Sequence, residues 1–262
     1  MKLAWLLALL VAFTGTALAT TIDGGGDAIF VEPHSFDGDT PENVAIFMDQ
    51  YPWGSDAILQ VLQEYGVSYT VYNSGSMGTV DLDPYDKVII PNNQVDTDYY
   101  YILGDNQEWF EAYMSGGGCM LMCCAAYFGY PNEQITWPGG FTHYSIECIN
   151  SMLITDNSHP VFNDPLPVSS SDLQGWNCSS HGSFNDLPDG AFVTVENNEY
   201  APGTPAAFDF CWGAGGAYVI AQPIDWVGSG NPYTVNTVLY MCTENPSPVE
   251  SGTWGSIKSL YK

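Results

Sequence analysis

The sequence contains no arginine, and its 4 lysines face 30 aspartates and glutamates, for a formal net charge of −26 at pH 7. Phosphate groups are recognised by guanidinium forks and ammonium point charges. Nucleic acids, nucleotides and anionic membrane surfaces are therefore disfavoured as partners. Lys87 is the lone cation between Lys2 and the carboxyl-terminal Lys258 and Lys262. Histidine is scarce too, with His34, His143, His159 and His181 the 4 available imidazoles. Long apolar runs are missing after the first 20 residues, and nothing there approaches the roughly 20 residues of a bilayer-crossing helix.

The acidic surplus keeps such a chain soluble. Asp37-Gly38-Asp39, Asp81-Leu82-Asp83 and Asp96-Thr97-Asp98 raise calcium as a ligand. None of them completes a spaced acidic loop with its closing glutamate, so no cofactor is expected beyond that weak calcium signal. No metal site is expected either: adjacent Cys123 and Cys124 lack the two-residue gap of zinc-binding pairs.

The amino terminus, MKLAWLLALLVAFTGTALAT, pairs one lysine with a short apolar run and a small-x-small step at Ala17-Leu18-Ala19. This is the pattern of a secretory signal over 1–19, placing the mature chain outside the cytoplasm, secreted or at the cell surface. Residues 20–42 read as an extended Gly/Asp-rich leader, and 246–262, after Pro246 and Pro248, as a tail.

Between these ends the pattern is that of an α/β domain over 43–245. NVAIFM (43–48) is a short apolar strand buried on both faces. Ser55 caps a helix carrying Ile58, Leu59, Leu62 and Tyr65, stopped at Gly66. Strands follow at 67–73 and 87–91, a helix at 106–114 with Trp109, Phe110 and Tyr113, and a strand at 119–124 after Gly116-Gly117-Gly118. The second half is less regular, with strands at 152–155, 191–196, 206–212 and 216–222 and a last helix over 231–242 that turns Cys242 inward. This order predicts a flavodoxin-like three-layer sandwich with a mainly parallel central sheet and an irregular, β-rich second half.

The opening strand and helix, the strand after the triple glycine (GGGCMLMCC), the His159-Pro160 step and the closing strand, loop and helix together resemble the class I glutamine amidotransferase-like superfamily. In particular, they resemble its secreted, trehalose-utilisation-like branch. The tail TWGSIKSLYK looks like the carboxyl-terminal sorting segments of some secreted surface proteins. The resemblance implies a nucleophilic cysteine on a strand-to-helix elbow, where Cys123 or Cys124 stands, activated by a histidine from a His-Pro-x-acid step. The matching step here is Gln222-Pro223-Ile224-Asp225, and an amide cannot accept the thiol proton. If the chain is an enzyme, it is a cysteine-dependent hydrolase using Cys124 or Cys123, His143 and an acid such as Glu147.

Seven cysteines in an exported chain point to disulfides. Strand alternation sends Cys123 and Cys124 to opposite faces. Cys148 and Cys178 are expected to be bridged, to each other or to one of Cys119, Cys123 and Cys124, while Cys119 reads as a small buried hydrophobe. Aromatic residues make up 14% of the chain. Tyr51, Trp53, Tyr127, Tyr130, Trp137 and Trp226, with Asp225, fall beyond expected strand ends, where α/β sheets present ligands. The leading expectation is a secreted, non-catalytic domain that binds a ligand, carbohydrate first, or serves in cell-surface assembly with surface proteins. A hydrolase, and an acidic structural surface protein that self-associates, are the alternatives.

Overall fold

The computed structural model describes residues 40–94, 97–127 and 131–242. The signal, most of the leader and the tail lie outside the described residues. No helix among the described residues is long and apolar enough to cross a membrane.

The first half alternates strands and helices: β1 (Asn43–Phe47), α1 (Ala57–Glu64), β2 (Ser68–Tyr72), β3 (Lys87–Ile90), α2 (Thr97–Asp105), α3 (Gln107–Ser115) and β4 (Cys119–Cys123). The second half is mostly strands: β5 (Thr142–Ile149), β6 (Met152–Ile154), β7 (Ser180–Asn185), β8 (Phe192–Asn197), β9 (Pro205–Trp212) and β10 (Gly215–Ile220), closed by α4 (Ile224–Val227) and α5 (Pro232–Leu239). The result is a mixed α/β fold around an 8-stranded sheet of order β2-β1-β3-β4-β10-β9-β8-β6. Pairing is parallel from β2 through β10 and antiparallel from β10 to β6. A separate hairpin-like sheet joins β5 to β7.

Alternation along the central strands feeds two cores. Val44, Ile46, Ile89, Leu121, Cys123 and Ile220 pack with α1 and α5. Ala45, Phe47, Val88, Ile90, Met120, Met122 and Val219 pack with α2 and α3. β4 is apolar throughout, and β1 and β3 are apolar after their first residues, Asn43 and Lys87, because both faces are covered. Gly66, at φ +70°, ends α1 in a conformation open to glycine. A side chain on Gly118 would collide with the Tyr113 ring, so the triple glycine is partly a packing requirement of α3.

Three sequence expectations need correction. Residues 97–105 form a helix that three consecutive tyrosines and Gly104 conceal; Tyr99, Tyr100 and Leu103 anchor it. The last helix ends at Leu239, not 242, because Tyr240 adopts ψ 125° and turns the chain away. Cys119 is buried, yet it is bridged to Cys242 rather than serving as plain apolar filling. The Cys148–Cys178 bridge realises one of the two pairings left open.

Candidate functional site

The chain passes from β1 to β2 on one side and then crosses back from β2 to β3 on the other side of β1, so the strand order reverses between β1 and β3. In open α/β sheets a crevice opens at such a point, beyond the carboxyl ends of the strands. Four segments meet there: the turn after β1, the loops after β3 and β4, and the step between β10 and α4.

Two buried amides tie these segments together. Gln94 Oε1 accepts from the N–H groups of Asp49 (2.8 Å) and Gln50 (3.2 Å), and its Nε2 donates to Gln50 O (3.1 Å) and Asn92 O (3.0 Å). Asn92 Nδ2 donates to Asp225 Oδ2 (2.8 Å) and Gln222 O (3.2 Å), while its Oδ1 accepts from Ala125 N (2.9 Å). Asparagine and glutamine serve here because each offers donor and acceptor at once, which a single buried loop carbonyl cannot. Neither residue was singled out from the sequence, where isolated amides in a loop carry no pattern.

Above this floor lies a cleft of about 130 Å³ lined by Trp53, Tyr127, Trp176, Asn177, Cys178, His181, Pro223 and Trp226. Trp53 is held at φ +54°, in the left-handed region that a bulky residue seldom adopts. Its ring stacks on His181 at 5.2 Å and meets Tyr127 edge-on at 4.8 Å. His181 is brought in by β7, whose start is pinned to the end of β10 through His181 N donating to Ala221 O (2.9 Å). Burial lowers its pKa to about 4, so the imidazole is neutral near pH 7. Several buried polar atoms near the strand ends have no hydrogen-bond partner: Trp53 Nε1, Gln222 Nε2 and Asp225 Oδ1. Burial raises the Asp225 carboxyl to about 7.

Of the aromatic residues singled out in the sequence, Trp53, Tyr127 and Trp226 line the cleft. Tyr51 is exposed nearby in the chain without lining it. Trp137 does not belong to the site: it is fully buried against Phe141 and Tyr100, with its indole N–H donating to Asn132 O (3.1 Å). Asp225 sits beneath the cleft, held by Asn92. Tyr130 lies outside the described residues, as does the Glu147 side chain. Trp176, Asn177, His181 and Pro223 were missed. Trp176 and Asn177 sit beside Cys178 in sequence, which was the available signal, but the β5–β7 pairing that brings them in is long-range.

The catalytic arrangement is not assembled around the sulfurs. Cys123 and Cys124 are both fully buried, and burial raises both thiols well above their ordinary pKa. Asp225 and Cys124 push Cys123 further in the same direction, against a smaller opposing pull from Lys87. His143 makes no hydrogen bond to either sulfur: its Nδ1 lies 3.1 Å from Asn132 Nδ2, and its Nε2 has no partner. Asn132 Nδ2 contacts the main-chain oxygen of Cys124 (3.0 Å), not its thiol. The main-chain donors that would form an oxyanion hole are already engaged, Cys124 N by Ile220 O (2.8 Å) and Ala125 N by Asn92 Oδ1. Neither cysteine has the positive φ of a strained elbow, and residues 125–127 are not helical. His159, of the His-Pro step, caps a turn away from the cleft: its Nδ1 accepts from Val161 N (3.3 Å), and its Nε2 donates to Asp209 Oδ2 (3.0 Å).

No protein-family model matches the sequence, and no curated protein matches it significantly. Among solved structures, the fold is similar to a candidate GMP synthase component from Thermoplasma acidophilum. The TM-score is 0.51 at 12% identity, over 86% of this chain and 99% of that one. A cytoplasmic protein of Salmonella typhimurium aligns with TM-score 0.51 and 13% identity, over 77% of this chain and 99% of that one. A glutamine amidotransferase from Thermotoga maritima aligns over 70% of this chain and 75% of its own, with TM-score 0.48 and 13% identity. At these identities the likeness is one of fold alone, a mixed α/β domain.

Proposed function

We propose that this chain is a secreted, non-catalytic domain of the glutamine amidotransferase-like fold, in its flavodoxin-like, trehalose-utilisation-like form, that binds an uncharged carbohydrate in the aromatic cleft. The observation that carries the reading is the cleft itself: three tryptophans and a tyrosine, without a charged side chain among the described lining residues, beyond the carboxyl ends of the parallel strands. Sugar rings present apolar C–H faces to aromatic rings and hydroxyls to amides. Both partners are present, Trp226 being 60% exposed and Asn177 lying beside it in the lining. Export is supported by two disulfides.

A non-catalytic role is supported by the oxyanion donors already engaged and by two thiols far from the thiolate state. Iodoacetamide at pH 7, followed by peptide mapping, tests it. Peptides bearing Cys123 and Cys124 stay unlabelled until the chain is unfolded. Rapid labelling of either one in the native protein, with loss of a hydrolytic activity in its serine variant, would make the hydrolase reading the correct one.

A further inference from the structure

Resting on the carbohydrate reading, we infer that the site is a groove for a linear, uncharged oligosaccharide rather than a pocket for one sugar. The aromatic cleft shares Asn177 with a second, broader hollow of about 670 Å³, lined by Asn150, Ser171, Gln174, Gly175 and Asn177. Enclosed small-molecule sites run from about 300 to 1,000 Å³. At about 130 Å³ the cleft takes one ring face, and the neighbouring hollow, broad and open to solvent, lets the rings that follow lie along the surface.

The two hollows divide the chemistry of a glycan chain between them. The first is aromatic and suits the C–H face of a ring. The second is amide, hydroxyl and glycine, which suits ring hydroxyls. Among the described residues no carboxylate, lysine or arginine lines either one, although the chain carries 30 acidic residues and Glu199 Oε2 accepts from Asn150 N (3.2 Å) at the edge of the second hollow. A surface this acidic that keeps such a groove uncharged is matched to a neutral ligand. A cation would find the tryptophans without a facing carboxylate, and an anion would find no cation.

The wall common to both hollows is the segment Gln174-Gly175-Trp176-Asn177-Cys178, and it is held from several directions. Cys178 is bridged to Cys148. Gln174 Nε2 donates to Met152 O (3.2 Å), and Trp176 N donates to Ser179 Oγ (3.3 Å). Gly175 and Asn177 both take positive φ, 77° and 70°, which shapes the wall as two successive turns. A wall fixed before binding costs little ordering when a flexible chain settles on it.

Calorimetric titration of the chain starting at Thr20 tests the inference. The probes are β-1,4-glucose, β-1,4-N-acetylglucosamine, α-1,4-glucose and β-1,4-xylose series from one to about six rings, with choline and a neutral tetrapeptide beside them. In one series the affinity rises at least about tenfold between one ring and four, worth about 1.4 kcal/mol. Trp226→Ala removes binding at every length. An Asn150→Ala/Ser171→Ala double variant lowers the tetramer's affinity towards that of the single ring. All three positions are exposed, so thermal unfolding midpoints matching the parent verify folding. A single ring bound as tightly as the tetramer, or a double variant with undiminished tetramer binding, overturns the groove while leaving the sugar site standing. Absence of binding to every sugar, or tighter binding of choline or the peptide, overturns the carbohydrate reading itself.

Discussion

Asp225 shows how one residue is set by its surroundings. It is 1% exposed, with Asn92 on one oxygen and no partner on the other. Burial carries its pKa up to about 7 from 3.8. His143 and His181 move the opposite way, down to about 3 and about 4 from 6.5, also through burial. Around pH 5 the unfolded chain has lost the Asp225 proton that the folded one keeps, so this group's stabilisation is lost as pH rises towards 7. The same unfolded chain carries two imidazole protons that the folded one lacks, so the histidine contribution is lost as pH falls below 6.5 towards the folded values. The two effects oppose each other between about pH 4.5 and 6. An Asp225→Asn variant keeps an oxygen for Asn92 and removes the opposing proton. Its stability therefore climbs with pH more steeply than that of the parent, by about 1.4 kcal/mol per pH unit. Urea unfolding of both proteins at three pH values in that window measures the difference, and equal slopes would show that Asp225 ionises normally in the folded state.

At the scale of elements, the carboxyl end of α5 is held twice. The Lys87 ammonium, fully buried, donates to the carbonyl oxygens of Thr237 (3.2 Å), Val238 (2.8 Å) and Tyr240 (2.5 Å). These are the acceptors a helix end leaves open, and a cation there also suits the helix dipole. Burial lowers the Lys87 pKa to about 7. Beside it, Cys119 pairs in register with Lys87 and is bridged to Cys242, closing a loop with a sequence separation of 123. Loop closure on that scale is worth about 5 kcal/mol by chain entropy. A Cys119→Ala/Cys242→Ala variant is expected to lose about that much in denaturant unfolding, with the ammonium still capping the helix. A loss under about 1 kcal/mol would mean that Lys87 alone secures the chain end. The sequence pattern placed α5, and Val235, Val238 and Leu239 are buried as expected; Tyr233, Thr234, Asn236 and Thr237 are buried too, so the helix has no open face there, and Cys242 falls beyond its end. Its end, where Tyr240 turns the chain away, was not legible, because the lysine that caps its last carbonyls lies 150 residues upstream of Thr237.

Across the whole molecule, Lys87 is the only lysine among the described residues, and it is buried. The described surface therefore carries carboxylates with no lysine or arginine to offset them, and the folded state bears their mutual repulsion. Screening relieves it, since the Debye length falls from about 30 Å at 0.01 M salt to about 10 Å at 0.1 M. The thermal midpoint is expected to rise by about 4 °C between those two concentrations of sodium chloride, a gain of about 1 to 2 kcal/mol for a chain of this size. A midpoint that stays level or falls would show that repulsion among these carboxylates does not limit the stability of the fold.

What the sequence determined by itself was the α/β order of its first half, the large acidic surplus and the pairing potential of its cysteines. Each follows from local periodicity, charge count or residue type, none of which needs a distant partner. The tertiary structure decided which aromatics meet. Trp137 and Trp226 look alike along the chain, yet one is sealed in the core and the other is 60% exposed at the cleft. It also decided that Cys119 reaches Cys242, that Asn92 and Gln94 bind four segments into one floor, and that β7 delivers His181. Those outcomes depend on strand order and long-range pairing, and the free energy that selects them is shared across the sheet rather than written in any one stretch of the chain.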